Sequence, residues 1–255
     1  QQTKFSNKNT TKTSTHNQTM ADKWSTETFS GCPVPSSIST GTGAETRHLH
    51  LLTTGLRAKR IGFVDVQVYA FSAYIDPSEI AEFEQLEQDI GVLRDNSAEK
   101  VVMLTFLRGI SGKQFSDGLA EGLKVAEKAG KPVPPEAMEV ISKAVPSSVD
   151  KGMCILLRML PTSDALEIQV FPPAALDPNS AVHIFDRAAE GSPLITVTKD
   201  PGLCAALHEV YFGPGAVLKG LTASLKAQLP LLTSLASAAQ QANSSSNNNN
   251  NKNNN

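Results

Sequence analysis

The residues of this chain that carry chemistry are few, and no generic catalytic signature organises them. There is no Gly-x-Ser-x-Gly, no phosphate-cradling glycine loop, no His-Glu-x-x-His and no Cys-x-x-Cys. His48 and His50, two apart, would share one face of a strand, but a metal ion needs a third ligand and none is evident; His183 and His208 stand alone. Cys32, Cys154 and Cys204 lack metal-ligand spacing, and the last two sit in apolar contexts that read as small buried side chains. What remains is a basic run (Arg57, Lys59, Arg60), a strand face carrying Tyr69 among polar and aromatic neighbours, and a helix stripe of Phe115, Gly118 and Gly122. The chemistry open to such groups is hydrogen bonding and apolar burial. Arg57 also admits a reading as a surface charge beside Lys59 and Arg60, and Tyr69 one as a core aromatic with its hydroxyl at the rim.

The elements that would position these groups follow from periodicity. His48–Thr53 reads as a strand, the basic run leads to a turn or bulge at Gly62, and Phe63–Ile75 reads as a second strand. Period-two alternation puts Val64, Val66, Val68 and Ala70 on a plain core face. It puts Phe63, Asp65, Gln67, Tyr69 and Phe71 on the other, which suits a cavity wall. Asp76-Pro77 starts an acidic surface helix with Ile80, Phe83, Leu86 and Ile90. Val101–Leu107 reads as a strand buried on both sides, and Ser111 with Gln114 as a capping box opening a helix to about Gly130. A helix over Glu136–Val145 follows, then strands at Met153–Leu160 and Leu166–Phe171, and shorter ones at Val182–Phe185 and Leu194–Val197. The last elements are helices Leu203–Phe212 and Val217 to about Leu232. Strands, helices, strands, helices, without an internal repeat, predict an α+β fold with a largely antiparallel sheet carrying helices on one face.

With 255 residues, 40% hydrophobic, 19% charged and net charge −2, the chain has the composition of an ordinary globular protein, and nothing points to a nucleic-acid partner. No stretch approaches the roughly 18 apolar residues of a membrane-spanning helix, so no integral membrane association is expected. Residues 1–30 and the Ser/Asn-rich 236–255 are expected to be disordered, leaving 31–235 as one domain. Residues 1–19 are polar without an acidic residue, which leaves organelle targeting open, although translation from Met20 is the simpler expectation. An odd cysteine count without a secretion signal points to a reducing compartment, cytoplasmic or plastid.

Three stretches in register carry a resemblance. They are Gly55-Leu-Arg57 with Val68-Tyr-Ala-Phe-Ser-Ala-Tyr74, then Leu107–Ser116, then Leu207-His-Glu-Val-Tyr-Phe-Gly213 with the closing helix through Ser224-Leu-Lys. Over roughly residues 45–232 the chain resembles the chalcone isomerase family. That resemblance implies an open-faced β-sandwich, a large antiparallel sheet with helices on one face and a ligand cleft between them. It also implies, if the chain is active, a cofactor-free intramolecular lyase reaction in which an early-strand arginine steers a phenolate. The family's arginine falls on Arg57, which is retained. Its threonine falls on Tyr69, its helix tyrosine on Phe115, its helix asparagine on Gly122 and its late serine or threonine near Val210. Polar groups are therefore missing or altered at four of these five positions.

Phe115 and Gly122 are seven apart and share a helix face with Gly118 between them, so this face lacks donors and bulk. Close packing against the sheet would also account for the glycines. An apolar cavity with one arginine at its end suits a carboxylate on a hydrocarbon tail, which guanidinium grips with two parallel charge-assisted bonds. The pattern is similar to the family's noncatalytic fatty-acid-binding branch, in which an arginine and a tyrosine hold the carboxylate. The expected ligand contacts are Arg57, Tyr69, Phe115, Gly122 and Val210, with Arg108 secondary, and no cofactor or metal is called for. The alternatives are a lyase with an altered site, in which Arg57 would be the catalytic group, and a noncatalytic modulator of a partner enzyme.

Overall fold

The alternating apolar runs do build one large sheet. The computed structural model describes residues 24–27, 30–41, 46–80, 83–95, 98–131, 133, 135–160, 165–172, 183–184, 194–198, 202–216 and 218–251. Its strands are β1 (Trp24–Thr26), β2 (Pro33–Pro35), β3 (Ser37–Thr40), β4 (Arg47–Ile61), β5 (Val64–Ile75), β6 (Lys100–Phe106), β7 (Ile110–Ser111), β8 (Ser148–Val149), β9 (Cys154–Leu160), β10 (Ala165–Phe171), β11 (His183–Ile184), β12 (Leu194–Thr198) and β13 (Leu218–Lys219). The helices are α1 (Phe83–Gln88), α2 (Val92–Asp95), α3 (Gly112–Lys128), α4 (Pro135–Ala144), α5 (Leu203–Phe212) and α6 (Leu221–Asn251). The main sheet runs β11-β3-β4-β5-β6-β9-β10-β12, antiparallel except where β11 joins β3, and β13 pairs with the second half of β4. The expected α+β class, with helices on one face of an antiparallel sheet, is what the chain adopts.

Two apolar layers sandwich the central strands. Under the helices lie Leu52, Phe71, Ala73, Leu104, Phe106, Ile155, Leu157 and Leu166, packed with Phe115, Leu119 and Leu123 of α3, Leu207 and Tyr211 of α5, and Leu225 and Leu232 of α6. The outer face carries Leu49, Leu51, Tyr74, Val101, Met103 and Leu156 together with Val34 and Ile38. Strands apolar on both faces, such as β6, are central for that reason. Among the described residues, no helix is long and apolar enough to cross a membrane.

The sequence pattern misplaced several boundaries. The short strand and the basic run are one fifteen-residue strand, β4, because its hairpin with β5 closes only at Gly62, whose φ of +61° suits glycine. Phe63, expected in the second strand, is the other loop residue. The helix expected from Asp76-Pro77 stops after a single 3-10 turn, Pro77–Glu79, because Ile80 takes an extended backbone and buries its side chain. The segment 1–30, expected without structure, contributes β1, which pairs with β2. The closing helix begins at Leu221, later than expected, and continues to Asn251 through a segment expected to be disordered. Ala238, Ala239, Gln240 and Gln241 favour helix, and extending an existing helix is far easier than starting one.

Several local signals hold. Ser111 Oγ accepts the Gln114 backbone N–H at 3.1 Å while Gln114 Oε1 accepts the Ser111 N–H at 2.9 Å, a closed capping box that fixes where α3 starts. A Cβ on Gly112 would run into the Pro146 carbonyl, so only glycine fits there. Ser224, in the last of the quoted stretches, anchors α6 to β4: its Oγ accepts the Thr54 N–H at 2.8 Å, and Thr53 donates to the Leu221 carbonyl at 2.7 Å.

Candidate ligand-binding site

Arg57 lies where β4 is paired on both sides, to Tyr69 of β5 and to Leu218 of β13. Directly opposed residues on neighbouring strands point to the same face, so the guanidinium and the phenol rise together from the sheet toward the helices. Here the β4–β5 ladder slips: Arg57 pairs with Tyr69, but Ala58 pairs with Gln67, so Val68 is an extra residue. This bulge overturns the expected alternation beyond it. Tyr69 and Phe71 keep the helix-facing side, as predicted. On the hairpin side of the bulge, however, Val66 and Val68 line cavity space, while Asp65 turns away to Lys219, 2.9 Å distant.

Above Arg57 and Tyr69 is a cavity of about 310 Å³. Val68, Tyr69 and Leu218 line it from the sheet, and Phe115, Gly118, Leu119, Gly122 and Val125 line it from α3 at helical spacing. Val210 and Tyr211 of α5 complete it. The five residues singled out by sequence, Arg57, Tyr69, Phe115, Gly122 and Val210, thus border one space. An adjoining lobe of about 330 Å³ shares Lys59, Val68, Ile110, Gln114, Gly118 and Glu121, and adds Ile61, Val66, Arg108, Gly109 and Asp117. At the mouth, Lys59 and Glu121 approach to 3.9 Å.

The two glycines of α3 have different reasons. A Cβ on Gly118 would meet nothing within 4 Å, so this position gives room. A Cβ on Gly122 would stand 3.0 Å from Val210 Cγ1, so this position lets α3 approach α5. Aromatic rings build the floor: Tyr69 meets Phe106 edge-on at 5.7 Å between centroids, and Phe106 meets Phe115 at 5.9 Å.

The residue that sequence reasoning missed is Tyr211. It lies one step beyond Val210, and a helix at the edge of a cavity can present two successive residues to it. Its ring rests on Phe71 with centroids 5.3 Å apart, and its phenol shares the cavity wall with that of Tyr69. Burial pushes the Tyr69 phenol up to about 12, with Arg57 and the Tyr211 hydroxyl pulling the other way. Burial and then the Tyr69 neighbour push Tyr211 well above the usual phenol value. Among the described residues Arg57 is in no ion pair, so the site holds one uncompensated cation beside two phenols and a largely apolar wall. His48 is engaged with Ser39 through Nδ1 at 3.0 Å, and no group of three or more metal-binding side chains occurs among the described residues.

No protein-family model matches the chain, and no curated protein matches it. Among solved structures it is similar to the crystal structure of a fatty-acid binding protein from Arabidopsis thaliana, with a TM-score of 0.59 at 19% identity over 84% of this chain and 98% of that one. At that identity the likeness concerns architecture alone: the chain has a chalcone isomerase-like fold.

Proposed function

We propose that this chain binds a fatty acid or a similar carboxylated apolar ligand in the cavity between the β4–β5 hairpin and helices α3 and α5, without cyclising a flavonoid precursor. The observation that carries this reading is the placement of Arg57, Tyr69 and Tyr211 together on an otherwise largely apolar cavity. The guanidinium supplies two parallel donors and the Tyr69 hydroxyl a third, a set that matches a carboxylate. The apolar wall of α3 takes the hydrocarbon tail, at about 0.8 kcal/mol for each CH₂ removed from water before ordering costs. The cavity and its adjoining lobe fall within the range of small-molecule sites, about 300–1,000 Å³. The structural neighbour from Arabidopsis thaliana is itself described as a fatty-acid binding protein.

One observation favours a second reading. Tyr211 returns a hydroxyl to a site whose family positions 115 and 122 are Phe and Gly, so Arg57 and two phenols could stabilise a developing oxyanion in an intramolecular lyase. The two readings separate in one experiment. Native mass spectrometry and lipid extraction of the purified chain are expected to show a co-purified fatty acid that Arg57→Ala loses, while a chalcone is not cyclised above its spontaneous rate. Cyclisation that depends on Arg57, with no bound lipid, would replace the first reading by the second.

A further inference from the structure

The β4–β5 hairpin ends in three large apolar side chains that the fold does not use. Ile61 is 60% exposed, Phe63 97% and Val64 63%, clustered around a two-residue loop that Gly62 alone suffices to turn. Single exposed apolar residues are ordinary; three within four positions at one projecting tip are not. The charges around this tip are lopsided. Its three nearby carboxylates are each matched with a lysine: Asp65 with Lys219, Asp117 with Lys113 and Glu121 with Lys59. Arg60 and Arg108, both exposed, and Arg57 are in no ion pair among the described residues, although the whole chain carries net charge −2. The tip also borders the cavity, since Ile61, Lys59 and Arg108 line the lobe that opens into the space over Arg57 and Tyr69.

We propose that the Ile61–Val64 tip, with Arg60 and Arg108 beside it, is a docking surface for anionic lipid membranes, and that it lets a fatty acid pass between the bilayer and the cavity. An apolar tip that can enter the headgroup region, flanked by two exposed arginines outside any ion pair, is the arrangement that interfacial binding requires. Membrane docking stands on the tip alone, whereas the exchange role rests on the ligand reading proposed above.

The test uses the full chain with vesicles of phosphatidylserine and phosphatidylcholine, and with vesicles of phosphatidylcholine alone. Cosedimentation is expected with the first and much less with the second, falling as salt is raised. Arg60→Gln should weaken it about fivefold, as expected for one basic residue at an anionic surface. Phe63→Asp should weaken it about tenfold or more. Neither residue lines the cavity, so both variants should hold a fluorescent fatty acid as tightly as the parent in vesicle-free solution, yet collect it from vesicles more slowly. No cosedimentation, or cosedimentation unchanged in Phe63→Asp, overturns the proposal. So does a dimer that Phe63→Asp abolishes in a protein that ignores vesicles, because the tip would then serve a second copy of the chain. Fatty-acid binding without vesicle binding removes the docking surface alone, and vesicle binding without fatty-acid binding removes the ligand reading alone.

Discussion

Gly122 on α3 and Val210 on α5 meet so closely that a methyl group on the glycine would stand 3.0 Å from Val210 Cγ1, while one turn earlier Gly118 has nothing within 4 Å. Two glycines on one helix face therefore answer oppositely to the same substitution. Gly118→Ala should stabilise the fold by up to about 1 kcal/mol, the ordinary preference of a helix for alanine. Gly122→Ala should lose that gain to crowding and come out destabilised by about 1 kcal/mol. Urea midpoints of the two variants, compared with the parent, check the contrast.

The open space at Gly118 also offers a way to block the cavity without touching Arg57. Gly118→Leu should fill it and expel ligand, with the far-ultraviolet circular dichroism of the parent retained. Native mass spectrometry should find this variant empty. A variant still loaded with lipid would mean that the tail lies elsewhere.

The phenol pair predicts unequal effects. Tyr69→Phe removes a direct donor to a charged ligand and should cost about 1.5–3 kcal/mol, ten- to a hundredfold in affinity. Tyr211→Phe leaves Arg57 and Tyr69 in place and should cost a fewfold. The double variant should cost less than the two single losses combined, because neighbouring groups on one site couple. Titration calorimetry with a soluble medium-chain fatty acid measures all three.

The pH profile follows from the same pair. The Tyr69 phenol is raised to about 12, so it remains a protonated donor well past the value of about 10 at which an ordinary tyrosine ionises. Affinity should therefore hold steady from about pH 6 to about pH 10, and fall on acidification as the ligand carboxyl, with an ordinary pKa of about 4–5, takes up a proton. A fall beginning near pH 9 would show a phenol of normal acidity in the site.

Stability rests elsewhere, on a charge cluster on the outer face of the sheet. Glu99, 4% exposed, accepts from Arg158 at 2.7 Å, Arg47 at 3.0 Å and Thr40 at 3.1 Å, while Arg158 also holds Glu167 at 2.8 Å. Removing the central carboxylate leaves Arg47 with Glu79 and Arg158 with Glu167 but takes away the acceptor that joins them, so Glu99→Ala should lose about 1.5–3 kcal/mol in denaturant unfolding. Ligand affinity, measured under folding conditions, should not change.

The contrast between these sites shows what a sequence displays. Ser111 and Gln114, the helix Leu203–Phe212 and the Phe115–Gly122 stripe were legible because each is a local pattern with one period. Tyr211 was missed because its role depends on a partner on β5, far away in the chain. The Glu99 cluster joins residues 52 and 59 positions apart, which no local pattern registers. The faces of β5 were read correctly at Tyr69 and Phe71 and wrongly at Asp65 and Val66, because a single unpaired residue shifts the alternation and leaves no mark on composition.

That unpaired residue, Val68, offers a route of change that substitution does not. Its neighbours Gln67 and Tyr69 already face consecutive partners, Ala58 and Arg57. A descendant lacking residue 68 would keep every rung of the hairpin and the meeting of guanidinium and phenol, and lose one isopropyl group from the wall together with the carbonyl that accepts the Leu107 N–H at 3.0 Å. The capacity of this end of the cavity can therefore be adjusted by shortening the chain, with the rest of the strand left where it is.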